Sequence, residues 1–186
     1  MSDDLFNENI LALDLATTTG YCIGPPALKP LLWGSLRFGS IGSSRAQVYR
    51  HERQWLDHVI EHHRIGLVVF ESPATGMMHA GKTTPETQKK LTGLCEHVEE
   101  MCHLRVELRE ANVSQVRAHF IGRTNLKREA AKRAIKDRCH SYGWDVGEDD
   151  NAADSCALWS YQVSCLRPDI AAKMTPLFYG KRKIIA

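Results

Sequence analysis

The chain has 186 residues, 43% of them hydrophobic, with 24 basic against 22 acidic side chains and a formal net charge of +2. That length and apolar content can bury one sizeable core and leave a second domain cramped, so one domain over 1–186 is expected, with its core at about 9–165 and a basic, proline-containing tail at 166–186. A net charge this small predicts no polyanionic partner by itself, and the lack of an apolar run of about 18 residues excludes a sequence-evident membrane helix.

Ile10 to Leu15 and Gly20 to Gly24 are short, apolar and bounded by turn-formers, which predicts two strands joined by the turn Thr17-Thr18-Thr19-Gly20. Leu31 to Phe38 is expected as a third strand, because the intervening GPPALKP holds prolines that cannot donate to a ladder. Ser43 or Ser44 would cap a helix reaching about His63, with Val48, Trp55, Leu56, Val59 and Ile60 on its apolar face. GLVVFES is a fully buried strand that ends in Glu71, as the first ends in Asp14. After a loop-like stretch containing Lys82, Pro85 opens a helix to roughly His103, and RVELREA is the last strand. Helices over Val113 to Phe120, Lys127 to Tyr142 and from near Asp150 complete the chain. A meander followed by alternating strands and helices predicts an α/β fold with a mixed five-stranded sheet and helices on both faces.

Charge is unevenly spread. Arg117 to Arg138 carries eight bases against two acids, and Asp145 to Asp154 carries five acids and no base. A basic surface beside an acidic pocket suits an enzyme that attracts phosphates while holding cations nearby; two solvated helix faces of opposite sign are the plainer reading. The acidic N-terminus lacks the basic start and apolar stretch of a secretory signal, and the six cysteines fall irregularly, so reduced thiols and a soluble, cytoplasmic protein are expected. Cys95, His97, Cys102 and His103 fan around one helix too widely for a tetrahedral zinc site, which favours buried thiols.

Asp14 and Glu71 each close an apolar strand, and strand ends at one sheet edge lie side by side. Like charges so placed repel, and a divalent cation among them relieves the repulsion. On the last helix Asp154 aims a third carboxylate at the same edge, with Asn151 three and Asp150 four residues earlier on its face. Each acid singly has an ordinary role: a strand terminus for Asp14, a loop acid for Glu71, a helix cap for Asp150. Together they read as a hard-cation site for Mg²⁺, with Mn²⁺ as the alternative, two ions acting on one phosphodiester.

ALDLATTTGY, LVVFES, VSQVRAHFIGRTNLKREAAKRAI and DNAADSCALW together resemble the RuvC-type Holliday-junction resolvases, especially phage-borne ones, within the ribonuclease-H-like superfamily, over about Ile10 to Val163. The resemblance implies a ribonuclease-H-like fold, a metal-dependent endonuclease for four-way or other branched DNA, and a homodimer, with neither a membrane nor a nucleotide cofactor involved. It carries the family's acids to Asp14, Glu71 and Asp154, with Asn151 where the family has aspartate or histidine and Asp150 one residue earlier. It implies DNA contacts from Arg117, Arg123, Lys127, Arg128, Lys132, Arg133 and Lys82, and leaves Met77, Met78 or His79 to replace the aromatic that wedges into a junction. Two other classes share features with the chain: a branched-DNA-binding protein without activity, through Asn151, and the actin and sugar-kinase group of ATP-binding proteins, which opens with a similar Asp and threonine turn but needs a second domain.

Overall fold

In the computed structural model the described residues are 8–40, 42–71 and 84–174. β1 (Asn9–Asp14), β2 (Thr18–Gly24) and β3 (Leu32–Arg37) form an antiparallel meander. Thr19 closes its first turn: the fully buried hydroxyl donates to the Ala16 carbonyl at 2.9 Å. α1 (Arg45–His62) starts at Ser44, where a capping box forms. Ser44 Oγ accepts from the Gln47 amide, and Gln47 Oε1 accepts from the Ser44 amide at 2.8 Å. β4 (Ile65–Glu71) follows, then α2 (Pro85–Cys102), β5 (Glu107–Ala111), α3 (Val113–Ile121), α4 (Arg128–Ser141), α5 (Asp150–Leu166) and the short α6 (Pro168–Lys173). The last strand is shorter than RVELREA. Leu104 takes a left-handed conformation (φ 60°), and the amides of Arg105 and Val106 bond back to the Cys102 carbonyl, so those residues close the helix end before the strand begins.

The sheet runs β3-β2-β1-β4-β5, with β4 parallel to β1 and β5 parallel to β4 beside the antiparallel meander, so the five strands form the mixed sheet expected. Alternation along the strands sorts the core into two layers. Ile10, Ala12, Leu67 and Val69 point toward α3, α4 and α5, whereas Leu11, Leu13, Val68 and Phe70 point toward α1 and α2. Trp144 and Trp159 are fully buried in the first layer, with ring centroids 5.7 Å apart, and Trp159 Nε1 donates to the Gly24 carbonyl at 3.1 Å. Trp33 anchors β3 from outside by donating to the Asp145 carbonyl at 2.8 Å. No helix among the described residues is long and apolar enough to cross a membrane.

One buried acid lies far from that layer. Glu52 of α1 is 1% exposed, and neither of its oxygens has a hydrogen-bond partner among the described residues; His97 Nδ1 of α2 stands 3.9 Å away. Burial lifts its carboxyl to about 9, against an ordinary 4.5. The folded state therefore holds a proton that the unfolded chain releases above its lower pKa, and this group's contribution to stability falls as pH rises between those values. We expect Glu52→Gln to flatten that fall. Measured by urea unfolding, its stability relative to wild type at pH 8 should exceed the same difference at pH 4, with a slope of at most about 1.4 kcal/mol per pH unit. Parallel curves would show Glu52 ionised in the fold.

Candidate active site

β1 and β4 run parallel, and the register Leu13–Phe70 puts Asp14 beside Glu71 at the carboxyl end of the two central strands. Parity fixes which way they face. Asp14 continues the Ile10, Ala12 series and Glu71 the Leu67, Val69 series, so both side chains emerge on the layer covered by α5. α5 approaches that layer closely because the residues it buries near its start are small: Ala152, Ala153, Ser155, Cys156 and Ala157. The tightest point is Gly20, the β2 partner of Asp14. A Cβ there would stand 2.0 Å from the Asn151 carbonyl oxygen, so only glycine lets the first turn of α5 settle against the strand pair.

That contact delivers the third acid. Asp154 lies one turn into α5 beyond Asn151, half-buried like Asp14 and Glu71. The three carboxylates interact. Burial, then Asp154 and Asp149, lift Asp14 to about 7, against the pull of Lys132. Burial, then Asp14 and Asp154, lift Glu71 to about 8, opposed by Arg117. Burial lifts Asp154 to about 6, with Arg117 and Lys132 opposing. Three acids from distant segments thus share one rim, where Asp154 raises Asp14 and both raise Glu71, an arrangement that a divalent cation stabilises. Among the described residues no three His, Cys, Asp or Glu are gathered tightly enough to hold an ion as they stand. The donors are all hard oxygens of the kind Mg²⁺ and Mn²⁺ take.

Asp150 and Asn151 behave differently from those three. Asp149, not Asp150, caps α5, its Oδ1 accepting from the amides of Asn151 and Ala152 at 3.0 and 3.1 Å. Asp150 turns instead to α4, where Lys132 Nζ lies 2.8 Å from its Oδ2 and Lys136 Nζ 3.2 Å from its Oδ1; Lys136 also reaches Glu148 at 2.6 Å. Lys132, and behind it Lys136, hold the Asp150 carboxyl below the ordinary range. The lysine stripe of α4 therefore faces the acidic run before and within α5 and not open solvent. The reason is that α4 packs on α5 and brings the two oppositely charged segments into contact.

The bases left on the surface are Arg123, Lys127, Arg128 and Arg133, all exposed, while Arg117 of α3 is half-buried beside Glu71 and Asp154. Lys82, Met77, Met78 and His79 lie outside the described residues. Cys95 and Cys102 are buried in the α1–α2 layer, where burial pushes both thiols up, and His97 packs on the Tyr49 ring with centroids 4.5 Å apart. Sequence reasoning did not single out Asp149 or Gly20. Asp-Asp-Asn before an apolar helix is a capping signal that could have found the first, whereas nothing local marks the second.

No protein-family model matches the sequence, and no curated protein matches it. Solved structures do match. The structure of Thermus thermophilus RuvC in complex with Holliday junction substrate is similar with a TM-score of 0.67 at 14% identity, covering 88% of this chain and 97% of that one. A second Thermus thermophilus RuvC structure gives 0.62 at 15% identity, over 87% and 97%. The yeast mitochondrial Holliday junction resolvase Ydc2 gives 0.59 at 13%, over 93% and 83%. The fold of this chain is that of the RuvC-type, ribonuclease-H-like resolvases.

Proposed function

We propose that the protein is a divalent-metal-dependent DNA endonuclease that cuts branched DNA, with the four-way junction as its first substrate. The observation that carries this reading is the convergence of Asp14, Glu71 and Asp154, from two neighbouring strand ends and one helix, at a single rim in a resolvase fold. These three carboxylates would hold Mg²⁺ or Mn²⁺. When bound, such an ion would supply Lewis-acid chemistry at the phosphodiester. The chain's own groups bind and orient. Arg117, next to Glu71 and Asp154, sits where it can meet the scissile phosphate, while Arg123, Lys127, Arg128 and Arg133 present the exposed charge that positions the flanking backbone. Two symmetric cuts across a junction need two such sites, so the working species is a homodimer, acting where DNA is processed inside the cell.

A non-catalytic junction-binding role is the second reading. It draws on the neutral Asn151 and on the engagement of Asp150 by lysines. Labelled four-way junction, flap and linear duplex, each with and without Mg²⁺, separate the two. Nicking of the junction that needs Mg²⁺ supports the enzyme; tight junction binding with no cutting under any metal supports the binder; cutting without metal removes the mechanism. On either reading Arg128→Ala and Arg133→Ala each weaken binding to all DNA sequences alike. Each should lower the slope of log affinity against log salt by about one, as read by fluorescence anisotropy from 50 to 200 mM salt. An unchanged slope would place the DNA elsewhere.

A further inference from the structure

We propose that His58 and His62, one turn apart on the exposed side of α1, form a two-imidazole site for a transition-metal ion of the Cu²⁺, Ni²⁺ or Zn²⁺ class, separate from the acid rim. Residues four apart on a helix lie one above the other, so two histidines at this spacing can reach one ion. Both side chains are exposed, and their rings already stack, with centroids 4.1 Å apart and 27° between the planes. The helix itself orients the second ring. His62 Nδ1 lies 2.8 Å from the carbonyl oxygen of His58. A carbonyl can only accept, so Nδ1 carries the proton, and in the neutral ring Nε2 keeps the lone pair. An imidazole fixed through Nδ1–H to a backbone carbonyl, with Nε2 left for the ion, is the usual state of a metal-ligating histidine.

The surroundings select the ion. Asp57 and Glu61, the acids that precede the two histidines in the chain, are drawn to Arg105, at 2.8 and 3.9 Å. Among the described residues no third histidine, cysteine or carboxylate joins the pair, so a bound ion keeps water in its other positions. Two nitrogen donors without a carboxylate suit borderline ions and give Mg²⁺ nothing it prefers. His62 also stands in the last turn of α1, where the negative end of the helix dipole favours a cation. The acid rim lies at the other end of the sheet: α1 leads into β4 at Ile65, and the strand runs about 20 Å before Glu71 closes it. The two sites therefore differ in donor chemistry and in place, and this one does not depend on the nuclease reading.

Titration of the full chain with Cu²⁺, Ni²⁺ and Zn²⁺, each in excess Mg²⁺, tests the site by calorimetry. Wild type is expected to bind one ion per chain, Cu²⁺ most tightly. His58→Gln and His62→Gln should each weaken that binding at least about tenfold, whereas His140→Gln, at an exposed histidine on α4, should leave it unchanged. The paramagnetic resonance spectrum of the Cu²⁺ complex should show two nitrogen donors in wild type and one in either α1 variant. With Zn²⁺, the ¹⁵N resonance of His62 should move at Nε2 and not at Nδ1, and Tm should rise in wild type but not in those variants. No saturable binding in excess Mg²⁺, binding that either α1 variant leaves intact, or ligation through His62 Nδ1 overturns the proposal. Mg²⁺-dependent nicking by the same proteins is expected to be equal, so loss of this site and loss of the nuclease reading are read separately. Both substitutions are on the surface, and circular dichroism confirms folding.

Discussion

Asp14→Asn is expected to abolish metal-dependent nicking while making the metal-free protein more stable. On the proposed reading, removing the Asp14 carboxylate should lower the single-turnover rate at least about 10²- to 10³-fold, the scale seen when one preorganised electrostatic group is deleted from an active site. Stability moves the opposite way, and its sign follows from the raised pKa. Asp14 titrates at about 7 in the fold against an ordinary 3.8. Between these values the folded state binds more protons than the unfolded chain, so the native advantage shrinks as pH rises from about 4 to 7, and at pH 8 the fold carries an ionised, repelled carboxylate. The amide relieves that. In EDTA at pH 8 the variant should be more stable by about 1–3 kcal/mol, allowing for the half-exposure of the group, or roughly 2–10 °C in Tm; at pH 4 the two proteins should coincide. Mg²⁺ should stabilise wild type and leave the variant nearly unmoved. A variant less stable than wild type in EDTA at pH 8 would mean that Asp14 serves the fold and not a cation.

Gly20→Ala is expected to cost both stability and activity, although Gly20 bears no chemistry. The new methyl carbon meets the backbone oxygen of Asn151 at 2.0 Å, and backbone within a buried helix start cannot yield as a flexible side chain can. α5 must lift from β2. Overpacking of this kind costs about 3 kcal/mol, which corresponds to roughly 6–12 °C in Tm for a chain of this length. Because the displaced turn also carries Asp150 and stands one turn from Asp154, nicking should fall further than the lost stability explains, when measured at a temperature where the variant is fully folded. Gly122→Ala provides the contrast. Nothing among the described residues lies within 4 Å of a Cβ there, so the left-handed backbone (φ 69°) is what resists it, and nicking per folded molecule should be unchanged. Equal losses in the two variants would show that Gly20 acts through general stability alone.

The order and type of the elements were legible in the sequence because they rest on local signals. Prolines at 25, 26 and 30 separate β2 from β3, Ser43 or Ser44 marks the start of α1, Pro85 opens α2, and the unbroken apolar runs at 10–13 and 65–70 mark the central strands. The three acids were legible for the same reason, each closing or interrupting an apolar segment. Which face each would take was not. β4 is buried on both sides from Ile65 to Phe70, so no alternation of polar and apolar residues betrays whether Glu71 points to α5 or to α2. Only strand register and the packing of α5 decide that.

The same limit governs the charges. Sequence determined that a basic helix precedes an acidic one and that Asp14 and Glu71 close strands, with Asp150, Asn151 and Asp154 offered together from the last helix as their candidate partners. Tertiary structure alone decided that Lys132 and Lys136 turn inward to Asp150 and Glu148 while Arg128 and Arg133 stay on the surface, and that Gly20 sets how near α5 comes to Asp14. Composition and spacing encode what a segment can form by itself. The partner of a long charged side chain, and the closest approach of two backbones, are set by neighbours distant in sequence, and these exist only once the sheet and its helices have packed.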